Sequence, residues 1–125
     1  MKTLLVSIVV TLAVAASAAS LSAHHSWPVN MEKLVTVKGT VVQFEWANPH
    51  PMITLEVKAD GGKPETWLIG GPAINRMEAN GWTKDTVKPG DVLTGTGYQF
   101  SDGQKVIRLD RVVFANGKEM RLYGR

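Results

Sequence analysis

Cysteine is absent from the 125 residues. Its absence excludes disulfides, thiolate metal centres, nucleophilic cysteine chemistry and a lipid-modified N-terminal cysteine. Stability must therefore come from an apolar core, and an apolar content of 44% is sufficient to build one. Strong charge is lacking too: the net charge is +3 and Lys2 contributes one of those positive charges. So mild a balance, with Lys and Arg scattered along the chain, does not make the basic, aromatic-lined groove that an oligonucleotide needs, and nucleic acid is not an expected partner. Histidine is scarce, with three in the chain, and there is no G-x-S-x-G, no H-E-x-x-H and no phosphate-loop motif. No catalytic residue is assigned and the chain is not read as an enzyme.

Long apolar runs are missing except at the start. Lys2 precedes Leu4–Ala19, which holds no charged residue, and small residues continue through Ala23. This is a secretory signal pattern. The run is short for a membrane helix, which needs roughly 20 apolar residues, so no stable span is expected once the leader is removed. Ala16-Ser17-Ala18 and Leu21-Ser22-Ala23 both offer cleavage positions, after Ala18, Ala19 or Ala23. We take residues 1–23 as the signal peptide and 24–125 as one domain, exported, and periplasmic if the source is Gram-negative.

The domain is mainly β by pattern. Leu34–Trp46 is rich in β-branched and aromatic residues, with Val35 and Val37 on one parity and Val42, Phe44 and Trp46 on the other. A strand changes its buried face only through an irregularity, for which Gly39 is the candidate bulge or coil. Asn48-Pro49-His50-Pro51 interrupts the strand. Ile53, Leu55 and Val57 alternate with polar residues, and Thr66–Ile69 gives a third strand. Gly70-Gly71-Pro72 then leads into a short helix over Ala73–Asn80, with Ile74 and Met77 on one face and Gly81 as its stop. Strands follow over Val92–Phe100 and Val106–Phe114, and Asn116-Gly117 turns the chain into Met120–Tyr123. Three strands, a helix and two or three strands is the order of a small OB-like Greek-key barrel, with one short helix between strands three and four. A small open sandwich or split barrel is the alternative.

The histidines fall in two places, His24 and His25 at the expected new terminus and His50 between the first two strands. Neutral imidazole binds copper, zinc and nickel, and cleavage before His24 adds an amino group that closes a chelate with its ring. Adjacent residues of an extended strand point to opposite sides, so His24 and His50 are the economical pair and His25 is supplementary. The divalent affinity order puts copper first and zinc second. Met31 and Met52 are candidate soft ligands for Cu(I), although methionines commonly fill gaps. Glu45 is a candidate outer partner for His50. Against this stands a plain alternative in which terminal histidines are solvated and Asn-Pro-His-Pro is a rigid connection. In that case the protein is an accessory module for an envelope partner, with the histidines structural. Trp46, Trp67 and Trp82 read as core or rim packing, and Trp27 as a pin holding the N-terminal segment against the barrel.

Ala23-His24-His25-Ser26, Glu45-Trp46-Ala47-Asn48-Pro49-His50, Gly81-Trp82-Thr83 and Lys88-Pro89-Gly90-Asp91 together resemble a family of small exported bacterial proteins, domain of unknown function 6152. The resemblance runs from Ala23 to about Lys118. It implies an exported single-domain β protein and carries no established activity. The residues it picks out are His24, His25, Ser26, Trp46, Asn48, Pro49 and His50, and Pro51 departs from its pattern.

Overall fold

The computed structural model describes residues 27–122. Its first strand, β1 (Val29–Glu45), is long enough to serve both walls of a barrel. Its first part, Val29–Thr40, pairs antiparallel with β4 (Val92–Phe100), and its last part, Thr40–Glu45, pairs with β2 (Met52–Lys58). The handover falls at Gly39 and Thr40, where a Cβ on Gly39 would stand 2.5 Å from the Glu56 carbonyl oxygen. Only glycine lets β1 cross so close to its neighbour. The irregularity that flips the buried face lies three residues farther on. Register slips between Val41 and Gln43, leaving Val42 as the extra residue and exposed. Val37 and Val41 are buried before the bulge, and Phe44 and Trp46 pack on the core after it. Gly39 thus provides a close crossing that the sequence does not display, while the bulge expected there falls at Val42.

From β1 the sheet runs outward through β2 to β3 (Pro64–Gly70) on one side, and through β4 to β5 (Val106–Phe114) and β6 (Glu119–Arg121) on the other. It closes where β3 and β5 pair in parallel over Leu68–Gly70 and Val106–Arg108. Closure removes the exposed edges that an open sheet would present. This is the five-stranded barrel expected from the sequence, with β6 added on β5. The helix α1 (Ile74–Ala79) sits between β3 and β4, bracketed by Pro72 and by Gly81 at φ +82°.

Ile53, Leu55, Ile69, Leu93, Ile107, Leu109 and Val112 form the core, and Met77 of α1 and Trp82 belong to the same buried cluster. Trp82 is fully buried, and its indole N–H donates to the Arg121 carbonyl at 3.1 Å, so the largest core residue leaves no polar group unpaired. Where β4 and β5 cross tightly, a Cβ on Gly97 would lie 2.1 Å from the Arg108 carbonyl oxygen. Among the described residues no helix is long and apolar enough to cross a membrane.

Candidate functional site

The Asn-Pro-His-Pro segment is held to the β3–α1 connection by three hydrogen bonds. Gly71 N–H donates to the Pro51 carbonyl at 2.9 Å, and Ile74 N–H donates to Asn48 Oδ1 at 3.0 Å. His50 Nδ1 lies 3.0 Å from the Gly71 carbonyl oxygen. Asn48 thus reaches across 26 residues to the first turn of α1, satisfying a donor that helix starts leave open, instead of bonding within its own loop.

The third bond decides the chemistry of His50. A carbonyl oxygen can only accept, so Nδ1 carries the proton and the neutral ring presents Nε2 as its bare nitrogen. This is the orientation device found behind metal-ligating histidines, whose other N–H is held by a carbonyl or carboxylate. The partner is the Gly71 carbonyl and not the Glu45 carboxylate expected from proximity in sequence. The ring itself is exposed.

Trp27 is packed edge-on to His50, with ring centroids 4.5 Å apart, and edge-on to Phe100 at 5.4 Å. The two residues after Trp27 anchor its backbone: Ser101 N–H donates to the Pro28 carbonyl at 2.7 Å, and Val29 pairs with Phe100. The far edge of the indole rests on Gly70, where a Cβ would meet Cη2 at 2.1 Å and Cζ3 at 2.6 Å. Gly70 is therefore a seat for Trp27, a role that Gly-Gly-Pro does not disclose as a sequence. The expected pin is present, and it bears directly on His50. His24, His25 and Ser26, like the signal peptide, lie outside the described residues. At most about 3.6 Å of chain per residue separates His25 from Trp27.

These groups line one cleft of about 970 Å³. Trp27, Met31, His50, Met52 and Phe100 form one part of its wall, and Arg76 and Arg108 contribute its formal charges. The Arg108 guanidinium lies 5.6 Å from the Tyr98 ring centroid, and its Nε is buried with no hydrogen-bond partner among the described residues. Reasoning from the sequence missed Phe100, Arg76 and Arg108. Arg108 had a signal available, a cation set between the apolar residues Ile107 and Leu109 of a strand. Among the described residues no three of His, Cys, Asp and Glu converge on one point. Any metal held here would draw on His50 together with methionine sulfur or the histidines that precede Trp27.

A model of the family of unknown function DUF6152 matches residues 10–108. The chain belongs to this family. No curated protein matches the sequence. Among solved structures, a mitochondrial single-stranded DNA-binding protein of S. cerevisiae superposes with a TM-score of 0.51 at 7% identity, over 66% of this chain and 93% of that one. The ZRD-deleted mutant of TiaS, crystallised with agmatine, gives 0.50 at 15% identity, over 76% of this chain and 25% of that one. At such identities the likeness is one of fold alone. The DUF6152 chain shares the β-barrel architecture of an OB-fold neighbour.

Proposed function

We propose that this DUF6152 protein is exported, is cleaved before His24, and binds a transition-metal ion, copper ahead of zinc, through His50 and the His24-His25 pair. It acts as a small binding protein and not as an enzyme. The observation that carries the reading is the hydrogen bond from His50 Nδ1 to the Gly71 carbonyl at 3.0 Å, which leaves Nε2 as the donor nitrogen on an exposed ring. Support also comes from Trp27, packed edge-on against that ring and three residues after His24. A tail tethered so close raises the local concentration of its imidazoles at the His50 ring.

The test is copper and zinc affinity by chelator competition on the secreted protein, beside His50→Ala and the triple variant His24→Ala/His25→Ala/His50→Ala. Losing an outer-shell partner already weakens metal sites about 10- to 100-fold, so losing His50 is expected to cost at least as much, and the triple variant is expected to bind no metal specifically. Equal affinity in the triple variant overturns the reading. It would return the histidines to structure and direct attention to a protein partner in the envelope fraction.

A further inference from the structure

We propose that the cleft binds a small organic carboxylate, with the anionic group on the Arg108 guanidinium and the apolar body against the Trp27 and Phe100 rings. No metal ion takes part in this contact, so it stands apart from the histidine reading.

Strand register carries Arg108 to the aromatic wall. Gly70 of β3 pairs in parallel with Arg108 of β5, and neighbouring strands lie about 4.8 Å apart. Ile69 and Ile107, the residues just before them, are buried in the core. Alternation therefore sends Gly70 and Arg108 to the opposite, outer face of the barrel wall. Trp27 lies on that face, because its ring seats over Gly70, where a Cβ would meet Cη2 at 2.1 Å. Phe100 packs edge-on against the same indole at 5.4 Å, and Tyr98, two residues earlier in β4, pairs with Arg108 across the β4–β5 ladder. The Tyr98 ring centroid stands 5.6 Å from Arg108 Cζ. Backbone pairing thus sets Arg108 beside the indole, and an aromatic face steadies its guanidinium.

Charge and wall chemistry then select the ligand. Arg108 is half-buried, and its Nε is buried with no hydrogen-bond partner among the described residues. Among those residues no carboxylate lines the cleft. Taking a charge out of water is unfavourable unless an opposite charge and hydrogen bonds complete it, and a carboxylate brought by a ligand supplies both. The guanidinium presents its N–H donors in a fixed planar fork that matches the two oxygens of that group. The rest of the wall selects the body, since Trp27, Phe100, Met52, Pro49 and Pro72 offer apolar surface. A volume of about 970 Å³ falls in the range of small-molecule sites, roughly 300–1,000 Å³. A bare inorganic oxyanion would leave that surface uncovered, whereas a carboxylate carried on a hydrophobic body covers it.

The test uses the secreted full-length mature protein, stripped of metal and titrated calorimetrically with naphthylacetate and with decanoate. Naphthylacetamide serves as the neutral comparison, and acetate and inorganic phosphate as anions without an apolar body. At least one of the two acids is expected to bind more tightly than about 1 mM. Naphthylacetamide, and the acids on Arg108→Met, are expected to bind at least about tenfold more weakly, the lower end of what a hydrogen bond to a charged group contributes. The comparison of acid with amide is made on the parent protein and so needs no variant to fold. The Trp27 indole N–H and the Arg108 Nε–H resonances are expected to shift together as the acid is added. If neither acid binds, if acid and amide bind equally, or if Arg108→Met binds the acids as tightly as the parent, the carboxylate site is overturned. It is overturned equally if acetate or inorganic phosphate binds as tightly as both hydrophobic acids, because the apolar wall would then contribute nothing. With metal absent throughout, each of these results leaves the histidine reading standing, and copper loss in His50→Ala tests that reading independently.

Discussion

Gly70→Ala isolates the link between the N-terminal segment and His50. The new methyl would stand 2.1 Å from Trp27 Cη2, so the indole must retreat by roughly 1.5 Å to regain carbon–carbon contact distance. The φ of Gly70 is not positive, so alanine itself fits the backbone. Over-filling such a contact costs about 1–3 kcal/mol. Loss of glycine's freedom in the unfolded chain returns about 0.4–1 kcal/mol. A net loss near 1 kcal/mol corresponds to about 4–8 °C in Tm for a domain of this size. The functional effect is more specific. Trp27 leaves its edge-on contacts with His50 and Phe100, each of a kind worth about 0.5–1.5 kcal/mol, and the chain that precedes Trp27 loses its anchor. Copper affinity is expected to fall about tenfold, the equivalent of 1.4 kcal/mol, whereas the His50–Gly71 hydrogen bond survives. Chelator competition measures the affinity, and the Trp27 indole N–H resonance reports the displaced ring. Trp27→Ala should weaken binding to a similar degree and be non-additive with Gly70→Ala, because both remove one contact. Unchanged affinity in Gly70→Ala, with the Trp27 resonance demonstrably moved, would refute the tether.

Other substitutions test the same geometry. Gly97→Ala sets a methyl 2.1 Å from the Arg108 carbonyl oxygen, where backbone and not a flexible side chain must yield. It is therefore expected to lower Tm far more than Gly70→Ala, and thermal melts followed by circular dichroism compare the two. Leu55→Ala empties a fully buried core position and is expected to cost about 2–5 kcal/mol, read from urea midpoints. Arg108→Met removes a buried nitrogen with no partner among the described residues together with a positive charge of the cleft. It is expected to leave Tm nearly unchanged, as measured by the same thermal melts. The Glu65 carboxyl is held below the ordinary carboxylate range, first by its hydrogen bond with Lys105 and then by that with the Trp67 indole. Because the folded pKa is the lower one, this stabilisation is complete above the ordinary carboxylate pKa and is lost as pH falls through the lowered value. The Tm advantage of the parent over Glu65→Gln should be small at neutral pH, smaller in high salt, and absent in strong acid.

Element identities and order were legible because each rests on local chemistry. Alternation at Ile53, Leu55 and Val57 specifies β2, and the Pro72 and Gly81 brackets specify α1. The strand limits Val92–Phe100 and Val106–Phe114 agree with the sequence pattern residue for residue. What escaped were features set by contacts between distant segments. The bulge fell at Val42 because the register of β2 against β1 decides where an extra residue is accommodated, while Gly39 was needed for a crossing that the sequence does not display. His50, Trp27, Met31 and Met52, which the sequence singles out, all line the cleft. Their arrangement was not legible, because the decisive partners, Gly70 and Gly71, lie about twenty residues from His50 and act through a bare Cα and a carbonyl, which leave no mark on composition or periodicity.

The most direct test of the metal-binding account is native intact-mass spectrometry of the secreted protein after exposure to one equivalent of copper. The account predicts a chain beginning at His24 that carries one copper ion, with the ion lost in His50→Ala. A chain that retains no copper, or that retains it equally after His50→Ala, would contradict it.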